Sequence, residues 1–239
     1  MKEEEENITI KRNLAESEQY DDSIKVILLG DSYVGKSSLI NRLINNKFSD
    51  LASTLSIEYH TYITSFNEYT LRMQIWDTAG QERFNSIITN YYKGTDVGIF
   101  LYSIDKEESF QNIEIWFKNL KDNNDNSLNI LIGNKRDLEN EKEGGRVVTY
   151  EKAEKFAEEN QFYAFREISC KIKETYEVDN IYEIFDEIGK HFYEKYKEKK
   201  NKVETSVDMN YAVTDSMLNL GKKHRIKQEN ESKPKKKCC

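Results

Sequence analysis

An eight-residue segment near the N-terminus has the composition of a loop that binds phosphate groups. Residues 30–37 read Gly-Asp-Ser-Tyr-Val-Gly-Lys-Ser, which matches the pattern G-x-x-x-x-G-K-[ST]. Glycines let the backbone approach an anion closely, and the amides at the start of the following helix then point at it. We predict that Lys36 places its charge beside the outer phosphates of a nucleotide and that the Ser37 hydroxyl is a ligand of Mg²⁺. The other predicted members of this phosphate site are Asp31, Ser32, Tyr33, Val34, Gly35 and Ser38.

A second motif, Asn134-Lys135-Arg136-Asp137, bears on which base is bound. The phosphate loop alone leaves this open, because kinases, ATPases and GTPases share it. A carboxylate at Asp137 accepts hydrogen bonds from the ring N–H and the exocyclic amine of guanine, and adenine lacks this donor pair. We expect Asn134 to connect this motif to the phosphate loop and the Lys135 stem to lie along the base. The motif therefore favours GTP over ATP.

A third motif, Trp76-Asp77-Thr78-Ala79-Gly80-Gln81-Glu82, contains groups suited to phosphate chemistry. Asp77 suits an outer-sphere role toward Mg²⁺, and the Gly80 N–H can bond the γ-phosphate. Gln81 can orient the water that attacks this phosphate.

Short apolar segments that alternate with amphipathic stretches predict the elements that position these motifs. The predicted fold is α/β, a doubly wound, mostly parallel six-stranded sheet with helices on both faces. Each motif follows a predicted strand, at the sheet edge where such folds bind ligands. Asp105 and Glu108 predict a capping box before the helix at 110–120. The predicted strands are 24–29, 57–66, 69–76, 97–102, 128–133 and 162–168, and the other helices are 36–45, 150–160 and 178–192.

The composition of the 239 residues suits one domain with tails. We predict a disordered acidic arm at 1–22, a nucleotide-binding domain at 23–198 and a flexible tail at 199–239. Residues 233–237 make the tail polybasic, and no stretch approaches the ~20 apolar residues of a membrane-spanning helix. The three cysteines (Cys170, Cys238 and Cys239) are too few for a disulfide framework or a zinc site.

The charge of the chain is distributed unevenly. The formal net charge is −7, but residues 221–239 hold eight Lys and Arg against two Glu, which leaves −13 for the rest. An acidic body argues against nucleic-acid binding, and the basic tail suggests a separate anionic partner.

Several longer motifs resemble the Ras superfamily and, within it, the Rab GTPases. They are WDTAGQERF at 76–84, YYKG at 91–94, GNKRDL at 133–138, EISCK at 167–171 and the terminal Cys238-Cys239. The resemblance covers about residues 22–195 and implies the P-loop small GTPase fold for the domain at 23–198.

The resemblance also implies roles for residues outside the first three motifs. Thr54 would bind Mg²⁺ and the γ-phosphate from the first switch, and Phe48 would pack against the guanine edge. Residues Ser169, Cys170 and Lys171 would complete the base pocket. The implied catalytic residues are Gln81, Lys36 and Thr54, and the implied metal ligands are Ser37, Thr54 and Asp77.

A Rab-like protein is implied to be a GTP/GDP switch that hydrolyses GTP slowly and regulates vesicle and membrane trafficking. The implied partners are an exchange factor, a GTPase-activating protein, effectors, and prenylation escort and dissociation inhibitor proteins. We expect effectors at the ordered switches and at an unpaired sheet edge over 57–66. Prenylation of Cys238 and Cys239 would hold a monomer on the cytoplasmic face of an endomembrane, with a cytosolic pool.

Three features depart from the family pattern and keep alternatives open. Thr54-Leu55-Ser56 replaces Thr-Ile-Gly, the segment 48–54 is one residue shorter, and Tyr33 occupies a position that is usually small. A non-hydrolysing scaffold is the first alternative, and equal hydrolysis by wild type and Gln81→Leu would favour it. A P-loop kinase or ATPase is the second, which competition between GTP and ATP would test.

Overall fold

The computed structural model describes residues 8–15, 19–48, 57–78, 90–141, 145–171 and 180–202. Within these ranges the strands are β1 (Ile10–Lys11), β2 (Asp22–Leu29), β3 (Glu58–Phe66), β4 (Tyr69–Asp77), β5 (Val97–Ser103), β6 (Leu128–Asn134) and β7 (Ala164–Glu167). The helices are α1 (Lys36–Asn45), α2 (Glu107–Gln111), α3 (Ile113–Asn123) and α4 (Tyr150–Glu159), with a 3₁₀ turn at Arg136–Leu138 and further helical residues at 90–92 and 180–202.

The chain divides into two units, Met1–Lys190 and His191–Cys239. The first unit contains every strand named above. The second is described only over residues 191–202, which are helical. None of the helices in the described part of the chain is long and apolar enough to cross a membrane.

The strands form one sheet in the order β1-β3-β4-β2-β5-β6-β7. The five strands from β4 to β7 in this order are parallel, whereas β3 is antiparallel to both β4 and β1. This arrangement confirms the predicted α/β, mostly parallel sheet. The carboxyl ends of β2, β4 and β6 lie at one edge, so the motifs that follow them converge there.

Helices cover both faces of the sheet because its central strands are apolar throughout. All seven residues of β5 are buried, as expected for a parallel strand with no solvent-facing side. On one face, residues of α3 and α4 join a core with Phe100 and Phe162, whose ring centroids lie 5.5 Å apart. On the other, the helical residues 180–190 pack on β3, where Tyr62 and Phe185 meet edge to face at 5.8 Å.

Among the described residues the sheet has seven strands and not the predicted six, because part of the arm predicted to be disordered is a strand. Ile10 and Lys11 pair antiparallel with Phe66 and Ser65, so the predicted unpaired edge over 57–66 is covered at that end. The prediction of disorder is therefore wrong for residues 8–15 and at Asp22, which begins β2, while 1–7 and 16–18 lie outside the described residues. The acidic composition of the arm obscured the β-branched stretch Ile8-Thr9-Ile10.

An ion pair fastens this strand to the body of the first unit. The Arg12 guanidinium donates from Nε to both carboxylate oxygens of Asp186, at 3.1 and 3.2 Å, and from Nη2 to Oδ2. The Asp186 side chain is only 6% exposed, so its charge depends on this partner. Thr64 Oγ1 adds a 2.8 Å bond to the Lys11 carbonyl.

The predicted helix at 110–120 is two helices, α2 and α3, which meet at Asn112. The predicted capping box is also wrong. Lys106, and not Asp105, is the N-cap of α2, and it makes no side-chain cap hydrogen bond. The Asp105 carboxylate instead accepts from the Ser103 hydroxyl at the end of β5.

Candidate functional site

The predicted phosphate loop connects β2 to α1, and its glycines are required by close backbone approaches. A Cβ on Gly30 (φ 138°) would lie 2.1 Å from the Leu101 carbonyl oxygen. A Cβ on Gly35 (φ 102°) would lie 2.1 Å from Asn134 Nδ2. Tyr33 also has a left-handed backbone (φ 66°), which is costly for a non-glycine residue, and its side chain is 71% exposed.

Lys36 is a buried cation at the start of α1. Its ammonium donates to the carbonyls of Gly30 and Asp31 at 2.7 and 2.8 Å. Burial lowers the pKa of Lys36 to about 8, against the opposing effect of the Asp77 and Asp31 carboxylates. A charge in this position, beside the helix N-terminus, suits an anionic ligand.

Ser37 and Asp77 meet at the same end of the sheet, although 40 residues separate them. The Ser37 hydroxyl donates to Asp77 Oδ2, while Asp77 Oδ1 is buried without a hydrogen-bond partner in the described part of the chain. Burial raises the pKa of Asp77, and the Ser37 bond and the Lys36 charge oppose this shift.

These oxygens fit a divalent cation. A hydroxyl and a carboxylate are ligands that Mg²⁺ accepts, and a buried carboxylate oxygen with no donor calls for a partner of positive charge. The Ser32 hydroxyl of the phosphate loop is likewise buried and unpaired among the described residues.

Asn134 joins three segments that are distant in sequence. Its buried side chain donates from Nδ2 to the Val34 carbonyl at 2.8 Å, and its Oδ1 accepts from the Cys170 N–H at 3.2 Å. The first bond is the predicted connection between the base motif and the phosphate loop. A single amide thus holds the phosphate loop, the end of β6 and the segment after β7 in one site.

The Asp137 carboxylate lies at the rim of this assembly with 15% of its side chain exposed. The Ser169 hydroxyl donates to its Oδ1 at 2.5 Å, and Lys171 Nζ lies 3.8 Å from its Oδ2. Lys135 has a left-handed backbone (φ 68°), and its ammonium lies 3.7 Å from Asp105. The structure therefore brings Ser169 and Lys171 to the Asp137 carboxylate, while the Lys135 ammonium lies beside Asp105.

Arg42 supports the base site, and none of the sequence motifs predicted this role. It is 1% exposed, and its Nε and Nη2 donate to the Cys170 carbonyl at 3.0 and 2.9 Å. Cys170 thus contributes its backbone N–H and carbonyl to these bonds, and its thiol is buried. The only signal in the sequence was a cation inside the apolar stripe of α1, beside Leu39 and Leu43.

Only some of the other predicted site residues lie in the part of the chain that the structure describes. Ser38 lies in α1, and Phe48 is half-buried three residues after the end of this helix. Thr54, Gly80 and Gln81 lie outside the described residues, as do Cys238 and Cys239. The roles predicted for them remain predictions.

Comparisons with known proteins agree with this arrangement of motifs. Residues 25–194 match the model of the Ras family. The chain is 37% identical to the Ras-related protein SEC4 of Saccharomyces cerevisiae over 189 residues, 78% of this chain and 83% of that protein. It is 34% identical to the Ras-related protein RABA2a of Arabidopsis thaliana over 224 residues, covering 93% and 96% of the two chains. It is also 41% identical to the Ras-related protein rab-11.1 of Caenorhabditis elegans over 146 residues, covering 60% and 67%.

Proposed function

Because this chain belongs to the Rab group of the Ras family of small GTPases, we propose that its phosphate loop and its Asp137 motif hold GTP and GDP alternately. It is a GTPase and binds guanine nucleotides, as members of this family do. The proposal concerns which residues perform these steps and what the switch controls.

The contacts of Asn134 are the observation that carries the assignment. Through them Lys36, which suits the phosphates, and Asp137, which suits guanine, belong to one continuous site. The Asp137 carboxylate would accept from the ring N–H and amine of guanine, while Lys135 and Phe48 would flank the base. An adenine nucleotide lacks the ring N–H and the 2-amino group that Asp137 would accept from, and it presents a ring-nitrogen acceptor to the carboxylate instead, which disfavours ATP.

We assign the metal site to Ser37 and Asp77, together with Thr54. When bound, Mg²⁺ would neutralise part of the charge on the phosphate oxygens. Ser37 would offer its hydroxyl directly, and the unpaired Asp77 oxygen would act from the outer sphere. Thr54 is assigned on the family resemblance alone.

Hydrolysis would proceed by in-line attack of a water that Gln81 orients, with Lys36 and the loop amides holding the phosphates. Thr54 and the Gly80 N–H would order the two switches around the γ-phosphate and release them after hydrolysis. No arginine in the sequence occupies an obvious position to stabilise the transferring phosphate, so turnover is expected to be slow without an activating protein.

Effector recruitment is supported by an aromatic surface near the start of β3. Tyr59 on β3 is 46% exposed, and its ring contacts Trp76, which in turn contacts Tyr91, with centroids 5.3 and 5.2 Å apart. We propose that effectors in the GTP state bind here. An exchange factor and a GTPase-activating protein would complete the cycle.

We further propose that the switch regulates vesicle and membrane trafficking from the cytoplasmic face of an endomembrane. Prenylation of Cys238 and Cys239 would supply two lipid anchors, and Lys235, Lys236 and Lys237 would add attraction to an anionic leaflet. Prenylation escort and dissociation inhibitor proteins would then maintain a cytosolic pool of monomer.

Single-turnover hydrolysis of bound GTP tests the enzymatic part. We expect Gln81→Leu to retain GTP binding and to lose most hydrolysis measured with an activating protein, because the water loses its orienting group. Equal rates in wild type and variant would favour the non-hydrolysing scaffold. Competition with ATP provides the nucleotide control, since equal displacement by ATP would favour a P-loop kinase or ATPase.

The position of a tagged protein in cells tests the membrane part. We expect the full chain on internal membranes and a variant lacking Cys238 and Cys239 in the cytosol. Uniform cytosolic signal from both would contradict the proposed anchor.

A further inference from the structure

The side chain of Asp31 connects the phosphate loop with a distant helix. Its Oδ2 accepts a 2.8 Å hydrogen bond from Asn112 Nδ2, and its Oδ1 accepts a 3.0 Å bond from Trp116 Nε1. These bonds join residues that are 81 and 85 positions apart in sequence. Trp116 is 4% exposed, so its indole is a fixed part of the core and not a mobile surface group.

Asn112 is free to hold Asp31 because it does not cap its own helix. It is the N-cap residue of α3, but its side chain makes no cap hydrogen bond. An asparagine in this position usually accepts from an N–H of the first helical turn. Here its amide donates across the sheet edge to the phosphate loop instead.

The backbone of Asp31 carries this connection to Lys36. The Asp31 carbonyl accepts from Lys36 Nζ at 2.8 Å, next to the Gly30 carbonyl at 2.7 Å. Asp31 therefore contacts α3 with its carboxylate and the phosphate-binding lysine with its carbonyl. A displacement of Asp31 would change the position of Lys36 and of the amides that follow.

The loop has a reason to need such support. Tyr33 has a left-handed backbone, which costs free energy in a residue with a Cβ, and Gly30 and Gly35 adopt positive φ values that their neighbours must hold in place. Strained segments persist only where surrounding contacts hold them. Asn134 supports the loop at Val34, and the Asp31 bonds support it at the other end.

We propose that Asp31, held by Asn112 and Trp116, is a positioning residue that keeps the loop in the arrangement that binds the β-phosphate of a guanine nucleotide. The inference rests on the proposed phosphate role of this loop. The affinity for GDP, which has a β-phosphate, should therefore depend on the Asp31 bonds. GMP lacks this phosphate and relies mainly on the base site, so its affinity should depend on them far less.

The test compares Trp116→Phe with a control variant in the full chain. Trp116→Phe removes the N–H that Asp31 accepts and retains an aromatic ring in the core. Tyr62→Phe is the control, because it likewise removes one polar hydrogen from a buried ring, and Tyr62 Oη has no hydrogen-bond partner among the residues that the structure describes. The Tyr62 ring packs on Phe185 and not on the nucleotide site. Dissociation of fluorescently labelled GDP and competition affinities for GDP and GMP are measured for each.

We expect Trp116→Phe to accelerate GDP release by about tenfold, the effect of losing one hydrogen bond to a charged group. Its GMP affinity should stay within about twofold of wild type, and Tyr62→Phe should change neither property. Asp31→Ala should have at least the effect of Trp116→Phe. Adding Trp116→Phe to it should change nothing further, because both act on the same bond.

Two results would overturn the inference while leaving the proposed function standing. One is an equal loss of GDP and GMP affinity in Trp116→Phe, which would mean a general loss of structure. The other is unchanged GDP release in a variant that unfolds at the wild-type temperature. If Asp31→Ala fails to fold, Trp116→Phe alone decides. A wild-type chain that does not prefer GDP to GMP would contradict the proposed phosphate loop itself.

Discussion

The phosphate half and the guanine half of the site are built in opposite ways. In the phosphate half, Lys36 is buried with a lowered pKa and Asp77 retains an oxygen without a donor in the described structure. In the guanine half, the acceptor groups of Asn134 and Asp137 are already bonded to Cys170 and Ser169. Unsatisfied buried groups cost free energy, whereas a satisfied polar network is rigid without a ligand.

This difference suggests that one half of the site supplies binding free energy and the other supplies selectivity for the base. The phosphate half gains most when a polyanion and a cation supply the missing charges, so it should provide much of the binding free energy. The guanine half is held in shape beforehand and can reject a base whose donors do not match. Four experiments would show whether the two halves of the site differ in this way.

Asp137→Asn should have the largest effect. We expect GTP affinity to fall by roughly 10³-fold or more, because an amide donor would face the donors of guanine. The amide oxygen can still accept from Ser169, so the fold should persist. Competition binding is measured with GTP and with xanthosine triphosphate, which carries a carbonyl where guanine has its amine and should bind the variant better. A loss of GTP affinity below about tenfold would remove Asp137 from the base site.

Removal of Mg²⁺ should test the unpaired oxygen of the phosphate half. In wild type, EDTA should accelerate GDP release by about 10–100-fold. In Asp77→Asn the acceleration by EDTA should be smaller, because the carboxylate charge that would act on the metal from the outer sphere is lost. Asp122→Asn, on the exposed face of α3, is the charge-matched control and should respond like wild type. An unchanged EDTA ratio in Asp77→Asn would show that this carboxylate does not act on the metal.

A rise in pH should affect binding and stability with opposite signs. The pKa of Lys36 is about 8 in the folded chain against 10.5 for an exposed lysine, so the unfolded chain binds more protons between these pH values. The free energy of unfolding without nucleotide should therefore gain a contribution as pH rises from 8 toward 10.5. GDP affinity should fall over the same range, by at most about tenfold per pH unit, as the ammonium loses its charge.

Titration calorimetry and thermal unfolding between pH 7.5 and 9.5 measure the two effects. Lys36→Met is the control for stability and should lack the rising contribution. If the GDP affinity of wild type does not change across this pH range, GDP binding does not depend on the protonation of Lys36.

Cys170→Ala should have the smallest effect. We expect GDP affinity to change by less than about twofold and the free energy of unfolding to fall by about 1 kcal/mol from the lost buried sulfur. The N–H and carbonyl of residue 170 make the bonds to Asn134 and Arg42, and the substitution leaves both in place. A larger loss of GDP affinity would mean that the thiol itself shapes the base site.

Local sequence patterns predicted much of the fold. The strands around 24–29, 97–102 and 128–133 and the helix at 150–160 were predicted within about two residues, because long apolar runs and helical periodicity report on burial. The strand Ile10–Lys11 is too short to show a period, and only its pairing with β3 defines it. The break at Asn112 was hidden because apolar residues continue on both sides of it.

The phosphate loop, the base motif and their family follow from the sequence alone, because each depends on residues adjacent in the chain. The contact between Asn134 and the phosphate loop was also predicted. The other side chains that support these motifs are visible only in the folded structure. Arg42 reaches Cys170 across 128 positions, and Trp116 reaches Asp31 across 85. These bonds form because particular helices pack against particular strand ends. The spacing of residues along the chain does not predict that packing.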